Sequence, residues 1–184
     1  MSWYTFFVET GKEEIVCDYL NYILGNYSDI KYDMLIPKRE LIEYKSGLKK
    51  IVYRTLFPGY IFVCTESIVS IYNAIRNQWH SDLYALLRTK DYFQEIRSEE
   101  IKPIINMIDN EGIISISTIF LEKDKVIITD GPLINYSGTI KKVNPRKERA
   151  KISLNFLTCD GKVDIGVRLL KKINKNDIKK IIIF

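Results

Sequence analysis

A catalytic residue set is hard to assemble from this chain. Its one histidine, His80, follows Trp79 and belongs to no serine or cysteine nucleophile motif, so a lone imidazole has no partner for general acid–base work. Cys17, Cys64 and Cys159 are odd in number, far apart and never spaced C-x-x-C. That fits neither a disulfide framework nor a zinc site, and reads as three reduced, buried thiols. The phosphate-loop, dinucleotide, H-E-x-x-H and calcium-loop patterns are missing. The carboxylate pairs Glu13–Glu14 and Glu99–Glu100 fall at expected helix starts, where the helix dipole favours negative charge. No enzyme, no metal and no cofactor is expected.

Phosphate binding is the chemistry these residues do concentrate. Thr139 to Leu154 reads TIKKVNPRKERAKISL, in which Lys141, Lys142, Arg146, Lys147, Arg149 and Lys151 oppose only Glu148. Asn144 opens the turn between two expected strands, and Arg168, Lys171 and Lys172 follow on the next. Solvated lysines that protect a strand edge would give a similar composition. Arginine at 146, 149 and 168 favours bidentate contact with phosphate or a base edge over mere solvation. The whole-chain charge of +5 is unevenly spread: residues 1–110 hold 13 Lys/Arg against 15 Asp/Glu, and residues 111–184 hold 15 against 8. A basic second half joined to a near-neutral first half points to a polyanion partner for the second.

The elements that must position these groups follow from periodicity. Trp3 to Val8 is an aromatic, β-branched strand, and Ile15, Val16, Tyr19, Leu20 and Ile23 recur at helical spacing until Gly25-Asn26. Tyr32–Tyr44 and Leu48–Thr55 form the arms of an expected long hairpin turning at Lys45-Ser46-Gly47. A strand over Tyr60–Cys64, a helix over Ser67–Arg76, a short strand near Tyr84–Leu87 and a helix from Ser98 to Ile108 complete an α+β arrangement. Beyond a break at Asp109–Ser117 the chain is all strand, with turn signals at Asp130-Gly131-Pro132, Asn144-Pro145 and Asp160-Gly161, which predicts a small barrel. No apolar run approaches the roughly 18 residues a membrane span needs, and the start lacks secretory features, so a cytoplasmic chain is expected.

LFPGYIFV, Leu56 to Val63, sets Phe57, Pro58, Gly59 and Tyr60 immediately before an apolar strand. Alternation places Phe7 on one face with Trp3 and Thr5, and Phe62 on one face with Tyr60, so aromatics from two strands can meet. Taken in order, SWYTFFVETGKEE (Ser2–Glu14), LFPGYIFV and VIITDGPLINYSGTIKKV (Val126–Val143) resemble the NusG family of bacterial transcription elongation factors over nearly the whole chain. The resemblance implies an α+β NusG amino-terminal domain at 1–110, an antiparallel sheet with flanking helices. A linker at 111–120 and a small all-β, SH3-like KOW barrel at 121–184 would follow. Gly131 and Gly138 match the glycines of the KOW module.

The resemblance also implies a partner, RNA polymerase. In the family the F-P-G-Y corner and first strand contribute to a hydrophobic socket for the tip of the β′ clamp helices, which carried over means Phe57, Pro58 and Tyr60, with Phe7 and Phe62 added by alternation. Departures from the general pattern lie in the KOW module, where Lys141-Lys142 and Asn144-Pro145-Arg146-Lys147 replace an acidic stretch and Phe156-Leu157-Thr158 replaces a ribosome-docking segment. These departures resemble specialised paralogues, the LoaP type most, which implies processive antitermination with recruitment by a nascent RNA hairpin through Lys141, Lys142, Asn144, Arg146, Lys147, Arg149, Lys151, Arg168, Lys171 and Lys172. Non-template DNA is a further candidate partner, against which the charge of residues 1–110 argues. A monomer with no membrane partner is expected. The alternatives are a general NusG-like factor without RNA-element specificity and a ribosome-associated KOW protein.

Overall fold

A computed structural model describes residues 1–122, 125–156, 159–170 and 182–183. Packing divides the chain into two units, one of Met1–Ile36 with Phe57–Ser98, the other of Pro37–Leu56 with Glu99–Phe184.

The first unit is built on β1 (Ser2–Val8), β2 (Tyr32–Leu35), β5 (Tyr60–Thr65) and β6 (Leu83–Leu86), all antiparallel in the order β2-β5-β1-β6. Alternation along β1 sends Phe6 and Val8 into a core shared with Ile61 and Val63 of β5. Val16, Leu20, Ile23 and Leu24 of α1 (Glu13–Leu24) and Ile71 and Ile75 of α2 (Ile68–Ile75) close that core. Each such side chain contributes about 1.5–3 kcal/mol by leaving water. Helix α1 stops at Gly25 as its sequence predicts, but Gly25 keeps right-handed dihedrals. The amide of Asn26 ends the helix instead, donating to the carbonyls of Tyr22 and Ile23 at 3.1 and 3.2 Å.

The expected long hairpin is split at Pro37. β2 joins the first sheet, whereas β3 (Lys38–Lys45) pairs with β4 (Leu48–Thr55) in a separate sheet of order β4-β3-β7, β7 being Ile113–Ile114. Proline lacks the N–H that would continue a ladder and restricts the residue before it. The β3–β4 turn itself is as predicted: Ser46 and Gly47 have φ of 51° and 78°, both positive as a two-residue hairpin turn of the primed type requires.

In the second unit α3 (Ser98–Ile105) buries Ile101 and Ile104. A six-stranded sheet follows, formed by β8 (Ser117–Glu122), β9 (Lys125–Asp130), β10 (Ile140–Asn144), β11 (Arg149–Phe156), β12 (Cys159–Leu169) and β13 (Ile182–Ile183), in the order β10-β11-β12-β8-β9-β13. The segment 111–120, expected as a linker, contains β7 and the start of β8. The sheet is curled but open, which corrects the expectation of a closed barrel. Closure requires the two edge strands to pair, and here the outer edge of β9 pairs with β13 rather than with β10.

Gly131 and Gly138, between β9 and β10, are sterically required. Gly131 has φ 92° and ψ −178°, a region essentially restricted to glycine, and a Cβ there would lie 2.7 Å from Ser117 Cα. At Gly138 a Cβ would lie 2.2 Å from the hydroxyl oxygen of Tyr136, a buried ring whose O–H donates to the Ser153 carbonyl at 2.5 Å. Among the described residues no helix is long and apolar enough to cross a membrane.

Candidate functional site

The Leu56–Val63 corner is held by a carboxylate. Glu13, in the first turn of α1 and 5% exposed, accepts the N–H of Gly59 at 2.7 Å and that of Gly11 at 2.9 Å. On its other side Gly59 accepts the Val8 N–H through its carbonyl at 2.8 Å, and Tyr60 N–H closes the turn onto the Phe57 carbonyl at 3.2 Å. Gly59 has φ 87°, and a Cβ there would press on Thr10 Oγ1 and the Val8 carbonyl at 3.2 and 3.3 Å.

This corner fixes an aromatic row. Tyr60 pairs with Phe7 across β5 and β1, their ring centroids are 5.4 Å apart, and Tyr84 of β6 extends the row with its ring 5.4 Å from Phe7. Phe7 is 38% exposed and Tyr84 53%, with Tyr60 half-buried and Pro58 exposed. Phe57 and Phe62 behave differently from the sequence expectation: both are buried, Phe62 completely, and their rings pack 5.8 Å apart. They pack beneath the corner. Tyr84 was not singled out by sequence; its signal, a tyrosine in a short strand, gains meaning only from the pairing of β6 with β1. In the same unit Tyr72, Arg76, Trp79, Tyr84 and Arg88 line a cleft of about 300 Å³, with the Arg88 guanidinium 5.3 Å from the Tyr72 ring centroid.

The basic residues divide by role. Lys141 and Lys142 on β10 and Arg146 and Lys147 in the β10–β11 turn are exposed, without an ion-pair partner among the described residues. Others shape the turn: Asn144 Oδ1 accepts the Lys147 N–H at 3.1 Å, and Arg149 Nη1 donates to the carbonyls of Lys147 and Glu148 at 3.1 and 3.3 Å. Partial burial lowers the affinity of the Arg149 guanidinium for its proton. Lys151 lies 3.7 Å from Asp164. Arg168 on β12 is exposed, while Lys171 and Lys172 lie outside the described residues, as do Leu157 and Thr158 of the segment noted above.

Glu148, the one acid of the stretch, stands at φ 50° with its side chain 12% exposed. It accepts the Tyr44 hydroxyl at 2.7 Å and Lys49 Nζ at 2.9 Å. Burial works to raise its pKa, but these hydrogen bonds and the charges of Lys49 and Arg168 outweigh it, and the net shift is downward.

Among the described residues no titratable cluster is assembled around His80. His80 Nδ1 accepts the Asp82 N–H at 3.1 Å, and its ring packs edge-on to Tyr19 at 4.8 Å, a structural role. Among the described residues no group of His, Cys, Asp or Glu is placed to hold a metal. Cys17 and Cys64 are free and half-buried, and burial pushes the Cys17 thiol up to about 11.

The first unit thus presents an exposed aromatic row and the second a basic turn. The family model for NusG, transcription termination factor, matches residues 1–105, more than half of the chain, and the chain belongs to the NusG family. Its members are non-catalytic transcription factors, in agreement with the expectation that the chain is not an enzyme.

Relatives match at similar distance. The transcription termination/antitermination protein NusG of Buchnera aphidicola subsp. Acyrthosiphon pisum is 24% identical over 173 residues, covering 92% of this chain and 95% of that one. That of Rickettsia typhi is 25% identical over 174 residues, covering 93% and 90%. That of Escherichia coli K12 is 25% identical over 134 residues, covering 72% and 74%. A solved structure described as domain interaction in Thermotoga maritima NusG matches with a TM-score of 0.51 at 18% identity, over 90% of this chain and 93% of that one, a likeness of fold.

Proposed function

We propose that the chain is a transcription elongation factor of the general NusG kind, which binds RNA polymerase in the cytoplasm and suppresses pausing and termination. Family membership over residues 1–105 supports this, and the single feature that carries it is the row Tyr60–Phe7–Tyr84 beside exposed Pro58. Aromatic anchors on a rigid sheet are what a protein-docking hot spot is made of. The tip of the polymerase β′ clamp helices is the surface this row would meet. No bond is made or broken: preference for the elongating state over the paused one suffices, and 1.4 kcal/mol of preference shifts their ratio about tenfold. Phe7→Ala and Tyr60→Ala in the full chain are each expected to weaken polymerase binding by about tenfold or more, with tryptophan fluorescence unchanged. Undiminished affinity in both variants would refute the docking face.

A second reading is favoured by Lys141, Lys142, Arg146 and Lys147, four cations without an ion-pair partner among the described residues. In it the chain is a specialised, LoaP-like paralogue in which a KOW module at 121–184, joined to a 1–110 domain by a 111–120 linker, is recruited by a nascent RNA hairpin. With about four phosphates neutralised, log affinity falls against log salt with a slope on the order of −3. A salt-insensitive complex removes this reading and leaves the general one intact. Non-template DNA remains a candidate partner of this reading, and the Tyr72–Arg88 cleft, where rings stand beside arginines, is compatible with stacking of an unpaired base.

A further inference from the structure

The β3–β4 hairpin is seated on β12, the strand that pairs with β11 of the basic turn. Arg39 Nη1 donates to the Asp164 carbonyl at 2.7 Å, and Ile116 N–H donates to the Glu40 carboxylate at 3.1 Å. Gly166 makes the approach possible: a Cβ there would lie 2.3 Å from the Glu40 carbonyl oxygen. The seat brings the hairpin tip against the β10–β11 turn, where Tyr44 and Lys49 meet Glu148.

Strand register then separates two neighbouring lysines. Tyr44 pairs with Lys49 across the hairpin, and Glu43 pairs with Lys50. Because successive side chains point to opposite faces, Lys49 shares with Tyr44 the face that meets Glu148. Lys50 lies on the other, with Glu43 and its ion-pair partner Arg54. Lys49 is 44% exposed although Glu148 is only 12% exposed, so the ammonium stays open to solvent above a covered carboxylate. An ammonium has three donors, and Glu148 offers it two oxygens, at 3.1 and 2.9 Å. The Tyr44 ring beside it is 56% exposed.

We propose that Lys49 and Tyr44 complete the polyanion surface of the β10–β11 turn and contact RNA there, Lys49 at a backbone phosphate and Tyr44 against an unpaired base. The inference rests on the RNA reading above. Glu148 is the internal counter-charge of this surface: with Lys49 over it, the one acid of the basic stretch does not repel the RNA backbone. Exposed aromatic rings are the usual platform for unstacked RNA bases, and lysine neutralises phosphate as a point charge.

The test is a titration of the full chain with an RNA stem–loop carrying an unpaired loop, at several salt concentrations. Lys49→Ala is expected to reduce the steepness of the salt dependence by about 0.7 to 0.9, one phosphate contact, while Lys50→Ala leaves it unchanged. Tyr44→Ala is expected to weaken binding about tenfold and Tyr44→Phe to retain it. Lys49→Ala also uncovers Glu148, so the comparison is repeated in a Glu148→Gln background, where the reduction is expected to persist. Equal effects of Lys49→Ala and Lys50→Ala, or disappearance of the Lys49 effect in that background, overturn the inference while the RNA reading stands. If Arg146→Ala with Lys147→Ala is also without effect, the RNA reading fails and takes the inference with it.

Discussion

Replacing Glu13 by alanine isolates the contact on which the docking corner depends. Two charge-assisted hydrogen bonds are lost, but they are not equivalent. Gly11 is exposed, so water replaces the carboxylate at its N–H at little cost. Gly59 is buried, and its N–H, 2.7 Å from the carboxylate, is left without an acceptor. A hydrogen bond to a charged group contributes about 1.5–3 kcal/mol, and an orphaned buried donor costs about 1–3 kcal/mol, so a loss of about 3 kcal/mol is expected. Urea unfolding followed by tryptophan fluorescence reads it directly, because Trp3 and Trp79 both belong to the first unit. With a denaturant slope of about 2 kcal/mol/M, the midpoint falls by about 1.5 M. Glu13→Gln keeps one acceptor oxygen and is expected to lose about half as much. A midpoint shift below about 0.3 M for Glu13→Ala would show that the carboxylate does not hold the corner, and the account of how Tyr60 and Phe7 are positioned would fall with it.

Other outcomes follow from the same geometry. Gly131→Ala forces a side chain into a glycine-only conformation against Ser117 Cα and is expected to cost about 3 kcal/mol, seen as faster amide exchange in β8 and β9; unchanged protection would contradict it. Glu148 holds its proton less tightly in the folded chain than unfolded, so the stability it contributes is present above the ordinary glutamate range and is lost as pH falls through its depressed value. A carboxyl-carbon NMR titration is expected to give a midpoint below that range, and a midpoint at or above it would disprove the Tyr44–Lys49 clasp. The Cys17 thiol, raised by burial to about 11, is expected to alkylate slowly at pH 8 and to accelerate only as pH approaches that value; rapid modification at pH 8 would refute its burial.

Much of this protein is determined locally. Periodicity alone places β1, α1, β5 and α2, because an amphipathic face repeats at 3.6 or 2 residues wherever one side must leave water. The I′-type turn at Ser46-Gly47 and the concentration of cations between Lys141 and Lys151 are equally legible. Pro37 was visible, but which sheet each half of the interrupted run would join was not, since pairing partners are chosen by side-chain burial across the sheet. The same limit hides Tyr84 beside Phe7 and the burial of Phe62. Glu13 reads in sequence as a helix-dipole carboxylate, and only the fold reveals that it reaches across to Gly59. Gly166 and Glu40, like Lys49 and Glu148, lie so far apart along the chain that no spacing rule connects them. Sequence determined which groups are available, strand aromatics near the F-P-G-Y corner and a cluster of cations. Tertiary structure decided which of those groups face outward together, because exposure and proximity depend on long-range packing that local periodicity does not encode.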